Sequence, residues 1–184
     1  RQPGSTLKPI TYGLGLEHGL TAASILEDDP TPFTTPDGAF APDNYDESFH
    51  GPIRLRSALA SSYNVPAVAV LQALGPDLLY AKLREMGFAG LTQPPGFYGV
   101  GLTLGSAEAT LLELVRTYAA LARGGVFRPE RSLLGSFGKD GRAIEGDAPL
   151  PPRRVFSPAA AYIITDILSD RDARIPSFGY HSPL

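Results

Sequence analysis

Ser5 and Lys8 are the two residues of this chain whose types and spacing best suit catalysis. They stand three positions apart at the start of a predicted helix, where side chains at that spacing share one face. A serine hydroxyl is a weak nucleophile that needs an adjacent base. A lysine amine can be that base once burial and the positive end of the helix dipole lower its pKa from about 10.4 to about 7–8. The pair therefore predicts a serine nucleophile with a lysine base.

A second motif, Ser62-Tyr63-Asn64, lies between two predicted helices. Its plain interpretation is a pair of helix caps, and Ser5 with Lys8 alone would equally fit an N-cap followed by a surface lysine. The catalytic interpretation makes Ser62 a relay that passes a proton to a leaving amine. Asn64 would then hold a substrate amide and steady Lys8. The order and separation of the two motifs favour the catalytic interpretation.

Length and composition fit one globular domain, or a large part of one. The chain has 184 residues, of which 43% are hydrophobic and 19% charged. A net charge of −3 without any Lys/Arg run argues against nucleic-acid binding. The apolar runs 65–74 and 159–168 are too short to cross a bilayer. Since the chain opens directly on the Ser5 motif, we expect a piece of a longer protein, with any export signal or anchor upstream.

Residue types that bind metals are few in this sequence. The chain has no cysteine, which excludes disulfides and thiolate metal sites. His18, His50 and His181 are scattered along the sequence, and each is interpreted as a surface or loop residue. We therefore expect no metal and no other cofactor.

The element that positions Ser5 and Lys8 is a predicted helix over 5–18, which Gly19 ends. Pro9 interrupts its first turn, because proline has no N–H for the Ser5 carbonyl and disfavours helical angles at Lys8. We therefore expect a distorted or 3₁₀-like first turn at the catalytic pair.

A long segment rich in Asp, Pro, Thr and Gly follows, over 22–52, and it lacks periodicity. Long loops are uncommon in compact domains and are often functional. We expect an ordered surface excursion, held down by Phe33, Phe40, Tyr45 and Phe49.

Helices dominate the rest of the predicted structure. Thr110 and Glu113 have the spacing of a capping box. A Gly/Pro-rich loop is predicted over 87–105, and a small β-hairpin over 126–144 with Asp140-Gly141 at its turn. The predicted helices are 53–61, 67–74, 77–86, 110–123 and 157–169.

The segments around both motifs closely resemble the transpeptidase domain of class A, bifunctional penicillin-binding proteins. The nucleophile segment is 1–12 (RQPGSTLKPITY) and the Ser-x-Asn segment is 58–68 (ALASSYNVPAV). Further matching stretches are 45–53, 104–114 and 118–125. The resemblance covers nearly the whole chain, and within the class it is nearest to the 1C branch, penicillin-binding protein 1C.

The resemblance implies an α+β fold of the β-lactamase/transpeptidase type. Residues 1–184 would be a partial penicillin-binding transpeptidase domain, mainly its helical part with a small β-hairpin. Most of the central antiparallel sheet would lie outside them. By resemblance, Ser5 is the acylated nucleophile, Lys8 its general base, and Ser62 and Asn64 complete the proton relay and the substrate contacts.

The implied reaction is peptidoglycan D,D-transpeptidation, the cross-linking of cell-wall stem peptides. Its partners would be a D-Ala-D-Ala donor peptide and a peptide amine acceptor, with β-lactams as inhibitors and without nucleic acid. The location would be extracytoplasmic, at the periplasmic face of the bacterial inner membrane. The full-length protein would be membrane-anchored and carry a glycosyltransferase domain.

Two departures from the family pattern qualify this expectation. Tyr63 replaces the Asp of the β-lactamase Ser-Asp-Asn motif, and no Lys-[Ser/Thr]-Gly occurs in the chain. In the family that last motif lies on a strand that binds the substrate carboxylate and supplies an oxyanion donor. We therefore expect residues 1–184 alone to be nearly inactive. Two alternatives stay open: a D,D-carboxypeptidase or β-lactamase of the same fold, and a catalytically silent helical binding domain.

Overall fold

Helices are the predominant regular elements of the structure, a computed structural model that describes residues 1–35, 38–130, 135–144 and 151–182. Two 3₁₀ turns, Gly4–Leu7 and Gly99–Leu104, pack against each other. The α-helices are α1 (Lys8–Glu17), α2 (Leu55–Ala60), α3 (Asn64–Leu74), α4 (Pro76–Glu85), α5 (Pro95–Tyr98), α6 (Leu111–Ala122), α7 (Pro158–Ser169) and α8 (Arg171–Phe178).

The strands of the described residues form four separate two-stranded antiparallel sheets. In the longest ladder Asp28 lies opposite Gly51. The pairs are β1 (Ile25–Asp28) with β4 (Gly51–Arg54), β2 (Phe33–Thr35) with β3 (Gly38–Phe40), β5 (Val126–Phe127) with β8 (Arg153–Arg154), and β6 (Ser136–Phe137) with β7 (Ala143–Ile144). This arrangement confirms the prediction of a helix-dominated part of an α+β fold with a small hairpin.

Helix α1 lies at the centre of the core. Every residue from Lys8 to Gly15 is buried, and the helix packs against α2, α3, α4 and α7. A helix buried on all sides belongs inside a domain rather than on its surface. Lys8, at its N-terminal end, therefore enters the core with its backbone already fixed by packing.

The start of α1 has the predicted 3₁₀ geometry. Pro9 cannot donate to the Ser5 carbonyl, and the N–H of Lys8 donates to that oxygen instead, closing a 3₁₀ turn. Gly4 starts the turn with a φ of +61°, which a residue with a Cβ would adopt only with strain.

The segment 22–52 is ordered as predicted, but strands organise it. The β1–β4 ladder closes its two ends, and β2 and β3 form a small hairpin inside it. Phe33 is buried and Phe40 partly buried, whereas Tyr45 is fully exposed and Phe49 more than one-third exposed. The expectation that all four aromatics hold the segment was wrong for Tyr45 and only marginal for Phe49. Residues 36–37 of this segment lie outside the described part.

Several observed element boundaries differ from the predicted ones. The helix expected from residue 53 begins at Leu55, because Ile53 pairs with Leu26 across the β1–β4 ladder. The loop predicted over 87–105 contains α5 and the 3₁₀ turn Gly99–Leu104. Helix α8 was not predicted at all.

The hairpin predicted over 126–144 is shorter than expected. It consists of β6 and β7 with Asp140 and Gly141 in the turn, as predicted. Strand β5, expected to belong to it, pairs with β8. Residues 131–134 of the predicted hairpin lie outside the described part.

The capping box of α6 is confirmed. The Thr110 hydroxyl accepts from the Glu113 backbone N–H, and the Glu113 carboxylate accepts from the Thr110 N–H at 2.7 Å. Hydrogen bonds to the Thr110 and Ala89 N–H groups hold the pKa of the Glu113 carboxyl below its usual range, against the opposing effect of burial. The helix therefore begins where its sequence places the cap.

Ion pairs join the C-terminal helices to α2. The Arg56 guanidinium on α2 bonds to Asp166 on α7 at 2.6 Å and to Asp170, the N-cap of α8.

Among the described residues, none of the helices combines the length and the apolar character that crossing a membrane requires.

Candidate active site

Ser5 lies in the 3₁₀ turn that leads into α1. In a 3₁₀ turn side chains at i and i+3 eclipse, so the Ser5 and Lys8 side chains share one face more closely than in an α-helix. Ser5 is exposed, and its hydroxyl has no hydrogen-bond partner within the described part of the chain. The turn is fixed by its neighbour Thr6, whose carbonyl accepts from the Tyr118 hydroxyl at 3.0 Å.

Lys8 is buried, and its amine bonds to both polar residues of the second motif. The Nζ atom donates to the Ser62 carbonyl at 2.5 Å, to the Asn64 Oδ1 at 2.6 Å and to the Ser62 Oγ at 3.2 Å. An ammonium has three donors, and these three acceptors use all of them. The structure thus brings three of the four predicted site residues into direct contact, while Ser5 lies beside them without a bond to Lys8.

Burial lowers the pKa of the Lys8 amine to about 7, and the charge of Asp28 opposes this shift. Loss of hydration disfavours the ammonium form, whereas a nearby carboxylate favours it. A substantial fraction of Lys8 is therefore neutral at neutral pH. In that form the amine carries a lone pair that can accept a proton.

Ser62 holds its place through an unusual backbone conformation. Its φ is +59°, in the left-handed region that a residue with a Cβ adopts at a cost of about 1–2 kcal/mol. Its N–H donates to the Leu59 carbonyl and the next N–H, of Tyr63, donates to the Ala58 carbonyl. These two bonds form a Schellman motif at the end of α2, where glycine is usual. The strained position directs both oxygens of Ser62 at the Lys8 amine.

Asn64 is the first residue of α3, and its side-chain amide is held at both ends. The Nδ2 donates to the Asp43 carbonyl at 2.6 Å, which leaves Oδ1 for the Lys8 amine. Its backbone N–H donates to the Asn44 Oδ1 at 2.7 Å. The position predicted for Asn64, close to Lys8, is therefore the observed one.

A cleft of about 340 Å³ opens beside these groups. Its polar lining includes Ser5, Lys8 and Ser62, and its lining is otherwise mostly apolar. Tyr118 from α6 and Arg174 from α8 complete the wall. The exposed Ser5 hydroxyl and the buried Lys8 amine thus face one space large enough for part of a peptide.

Sequence reasoning missed the polar residues behind Asn64. Asn44, Asp28 and His50 form a hydrogen-bonded group, and the His50 ring stacks on Tyr63 at a centroid distance of 4.1 Å. His50 lies in a loop as predicted, yet it contacts a buried carboxylate. These residues lie in the irregular segment 22–52, where no spacing pattern links them. The one sequence signal was the length of that segment, since long loops in compact domains are often functional.

Comparison with known proteins agrees with the fold and with the family resemblance. The family model of the penicillin-binding protein transpeptidase domain matches residues 1–175. Penicillin-binding protein 1C of Escherichia coli (strain K12) is 39% identical over 178 residues, which cover 96% of this chain and 21% of that protein. The chain spans about a fifth of the length of the curated relatives it matches first.

Solved structures share the architecture. The crystal structure of penicillin-binding protein 1A from Haemophilus influenzae has a TM-score of 0.78 at 26% identity and covers 100% of this chain and 31% of its own. Penicillin-binding protein A from M. tuberculosis, solved as its imipenem acyl-enzyme complex, has a TM-score of 0.74 at 22% identity and covers 91% of this chain and 42% of its own. With the family model matching almost all of its length, this chain belongs to the penicillin-binding protein transpeptidase domain family.

Proposed function

We propose that this chain carries the nucleophile and the base of a peptidoglycan D,D-transpeptidase. The observation that supports this most is the buried Lys8 amine, with a pKa of about 7, three residues from the exposed Ser5 hydroxyl in a 3₁₀ turn. A cap serine followed by a surface lysine would leave the lysine hydrated and fully protonated at neutral pH. The cleft beside both groups gives a substrate access to them.

In the first step the Ser5 oxygen attacks the carbonyl carbon between the two D-alanines of a stem peptide, and its proton moves to the neutral Lys8 amine. Catalytic hydrogen bonds often tighten only when the substrate is bound, so the open geometry at Ser5 is compatible with this role. The Ser62 hydroxyl, 3.2 Å from Nζ, passes a proton from Lys8 to the leaving amine. The terminal D-Ala leaves, and an ester joins Ser5 to the remaining peptide.

In the second step an amine of a neighbouring stem peptide attacks the Ser5 ester. The departing Ser5 oxygen regains a proton through Lys8, and a new amide bond cross-links the two peptides. A β-lactam would acylate Ser5 in the same way as the donor peptide. The acyl-enzyme complex reported for the M. tuberculosis protein is the corresponding species in a protein of the same fold.

The partners and the location of the whole protein follow from the same proposal. They are stem peptides as donor and acceptor, β-lactams as inhibitors, and the periplasmic face of the inner membrane as the site of action. A membrane anchor and a glycosyltransferase domain would belong to the full-length protein, as the matches to class A relatives support.

Labelling with a fluorescent penicillin tests the nucleophile. The full-length protein should carry one label on Ser5, located by mass spectrometry, and Ser5→Ala should abolish it. Ser106→Ala, which removes an exposed serine outside the cleft, is the matched control and should label normally. Absence of any label, or a label on another residue, would overturn the proposal.

An acceptor assay then identifies the reaction. With a D-Ala-D-Ala donor peptide and a peptide amine, a transpeptidase yields the cross-linked amide. A D,D-carboxypeptidase yields only the hydrolysed donor, and that outcome would replace the proposed activity by the hydrolytic one.

A further inference from the structure

Asp28 is a buried carboxylate with a complete set of hydrogen-bond donors. Its side chain is fully buried at the end of β1. The Asn44 Nδ2 lies 2.9 and 2.8 Å from its two oxygens, and the His50 Nδ1 and backbone N–H lie 2.7 and 3.1 Å from its Oδ2. Burying a charge is costly unless such donors surround it. These hydrogen bonds therefore hold the Asp28 carboxylate in place.

The carboxylate sets the orientation of the Asn44 amide. An ionised carboxylate only accepts, so the NH₂ end of Asn44 must face Asp28, where it also donates to the Ser48 carbonyl at 2.8 Å. The amide oxygen must then point the other way. That oxygen accepts the backbone N–H of Asn64 at 2.7 Å.

The backbone N–H of Asn64 lies at the start of α3, and the side-chain oxygen of the same residue accepts from the Lys8 amine. Three consecutive hydrogen bonds thus run from Asp28 to Asn44, from Asn44 to Asn64, and from Asn64 to Lys8. On the other side of Asp28, His50 stacks on Tyr63, the residue between Ser62 and Asn64. Two residues of the second motif, Tyr63 and Asn64, are therefore linked to one buried carboxylate through His50 and Asn44.

We propose that Asp28 and Asn44 are positioning residues for the base, because they fix the backbone of Asn64, the residue whose side-chain oxygen accepts from the Lys8 amine. The inference rests on the proposed function insofar as Lys8 acts as a base. It extends the site into the segment 22–52. A displacement of about 1 Å at a catalytic group can cost about 100-fold in rate, so the network has a measurable consequence.

Asn44→Ala in the full-length protein is the first test. With fluorescent penicillin, the rate constant of acylation should fall about 10- to 100-fold, while the dissociation constant of the initial complex stays within about threefold. Thr117→Val is the matched control, because it removes another buried hydrogen bond, from Thr117 to the Glu113 carbonyl, at a residue that neither lines the cleft nor belongs to the Asp28 network. It should lower stability without this selective loss.

Asp28→Asn tests the pH dependence of acylation, which would not change if Asp28 had only a structural role. Because the Asp28 charge raises the pKa of Lys8, its removal should shift the pH midpoint of acylation to lower pH. Other titratable or charged groups nearby are His50 and Asp46 behind Asp28, Tyr12 on α1, and Tyr118 and Arg174 in the cleft wall. None of these residues is substituted in the variant.

The Lys8 midpoint can also be measured without the reaction. Competitive labelling of lysine amines with acetic anhydride across pH, read at Lys8 by mass spectrometry, reports its protonation directly. A wild-type protein that penicillin does not label would overturn the proposed function, and this second measurement would still decide the inference. Unchanged Lys8 midpoints in Asp28→Asn, or an Asn44→Ala acylation rate equal to that of the Thr117→Val control, would overturn the positioning role.

Discussion

Two residues of this site are held in states that are energetically unfavourable for that residue alone. Lys8 loses hydration on burial, which lowers its pKa to about 7, and Ser62 occupies a backbone region that suits glycine. Sites that need unusual protonation or geometry commonly carry such costs, which the surrounding fold must offset. Both features can be tested by changing one side chain.

The pH dependence of acylation should follow Lys8. Because only the neutral amine accepts the Ser5 proton, the rate should rise about tenfold per pH unit below a midpoint near 7 and level off above it. The second-order rate constant for a fluorescent penicillin, measured from pH 5 to 9, checks this.

Lys8→Arg is the control for that profile. Arginine keeps a positive charge at every accessible pH and cannot act as the base, so acylation should fall to background throughout. A wild-type profile that is flat from pH 5 to 9 would contradict the assigned role of Lys8.

Two substitutions of Ser62 should have the same effect on activity and different effects on stability. Ser62→Gly and Ser62→Ala both remove the hydroxyl, so acylation should fall about 100-fold or more in each. Only alanine keeps a Cβ in the left-handed conformation, so the glycine variant should be the more stable by about 1 kcal/mol. Thermal unfolding of the domain measures the difference. An alanine variant as stable as the glycine variant would show that φ at this position carries no strain.

Among the elements, the 3₁₀ turn Gly4–Leu7 is positioned by its contact with the turn Gly99–Leu104. Gly105 ends the second turn with a φ of +83°, and its Cα lies directly against Gly4. A Cβ added at Gly105 would approach the Gly4 Cα to 2.7 Å, closer than packing allows. The turn that carries Ser5 therefore depends on a glycine about a hundred residues away in the sequence.

Gly105→Ala should displace the Ser5 turn. We expect a lower melting temperature and a loss of acylation of about tenfold or more, because the nucleophile moves relative to Lys8. Gly101→Ala, on the neighbouring 3₁₀ turn, is the matched control: its added Cβ would meet only the Ser106 side chain, at 3.5 Å. Equal acylation rates in the two variants would contradict the dependence of Ser5 on this contact.

Elements with a strong local cause could be predicted from the sequence. Pro9 dictated the 3₁₀ turn, Gly75 ended α3 with a positive φ, and the Thr110–Glu113 box started α6. Elements set by distant partners could not. The strand β4 displaced the start of a predicted helix because it pairs with β1, a contact that leaves no local pattern.

The same distinction holds for the site. Short spacing and family resemblance mark Ser5, Lys8, Ser62 and Asn64 as candidates in the sequence. Asp28 and Asn44 carry no such mark, since their connection to Lys8 runs through hydrogen bonds across residues 28–64 and not through spacing. The left-handed Ser62 was also not predictable, because serine at that position carries no signal of its conformation.

In the whole molecule, the site lies where the central helix meets the connection between α2 and α3. Helix α1 supplies Lys8 from the core, the turn after α2 supplies Ser62, and α3 begins with Asn64. Arg56 links α2 to α7 and α8, so the helices around the cleft are joined through charged contacts as well as through the core. The charged contacts and the core thus hold α2, α7 and α8 together beside the cleft.

A protein consisting only of residues 1–184 should react slowly with penicillin at Ser5. No Lys-[Ser/Thr]-Gly occurs among these residues, and the family resemblance assigns that motif one oxyanion donor and the contact with the substrate carboxylate. Loss of one such donor costs about 10²–10³ in rate. Acylation by fluorescent penicillin should thus be at least about 100-fold slower than in the full-length protein, with circular dichroism showing that the helices are retained. Ser5→Ala in both proteins gives the background. An isolated chain that acylated at the full-length rate would show that these residues already complete the oxyanion site.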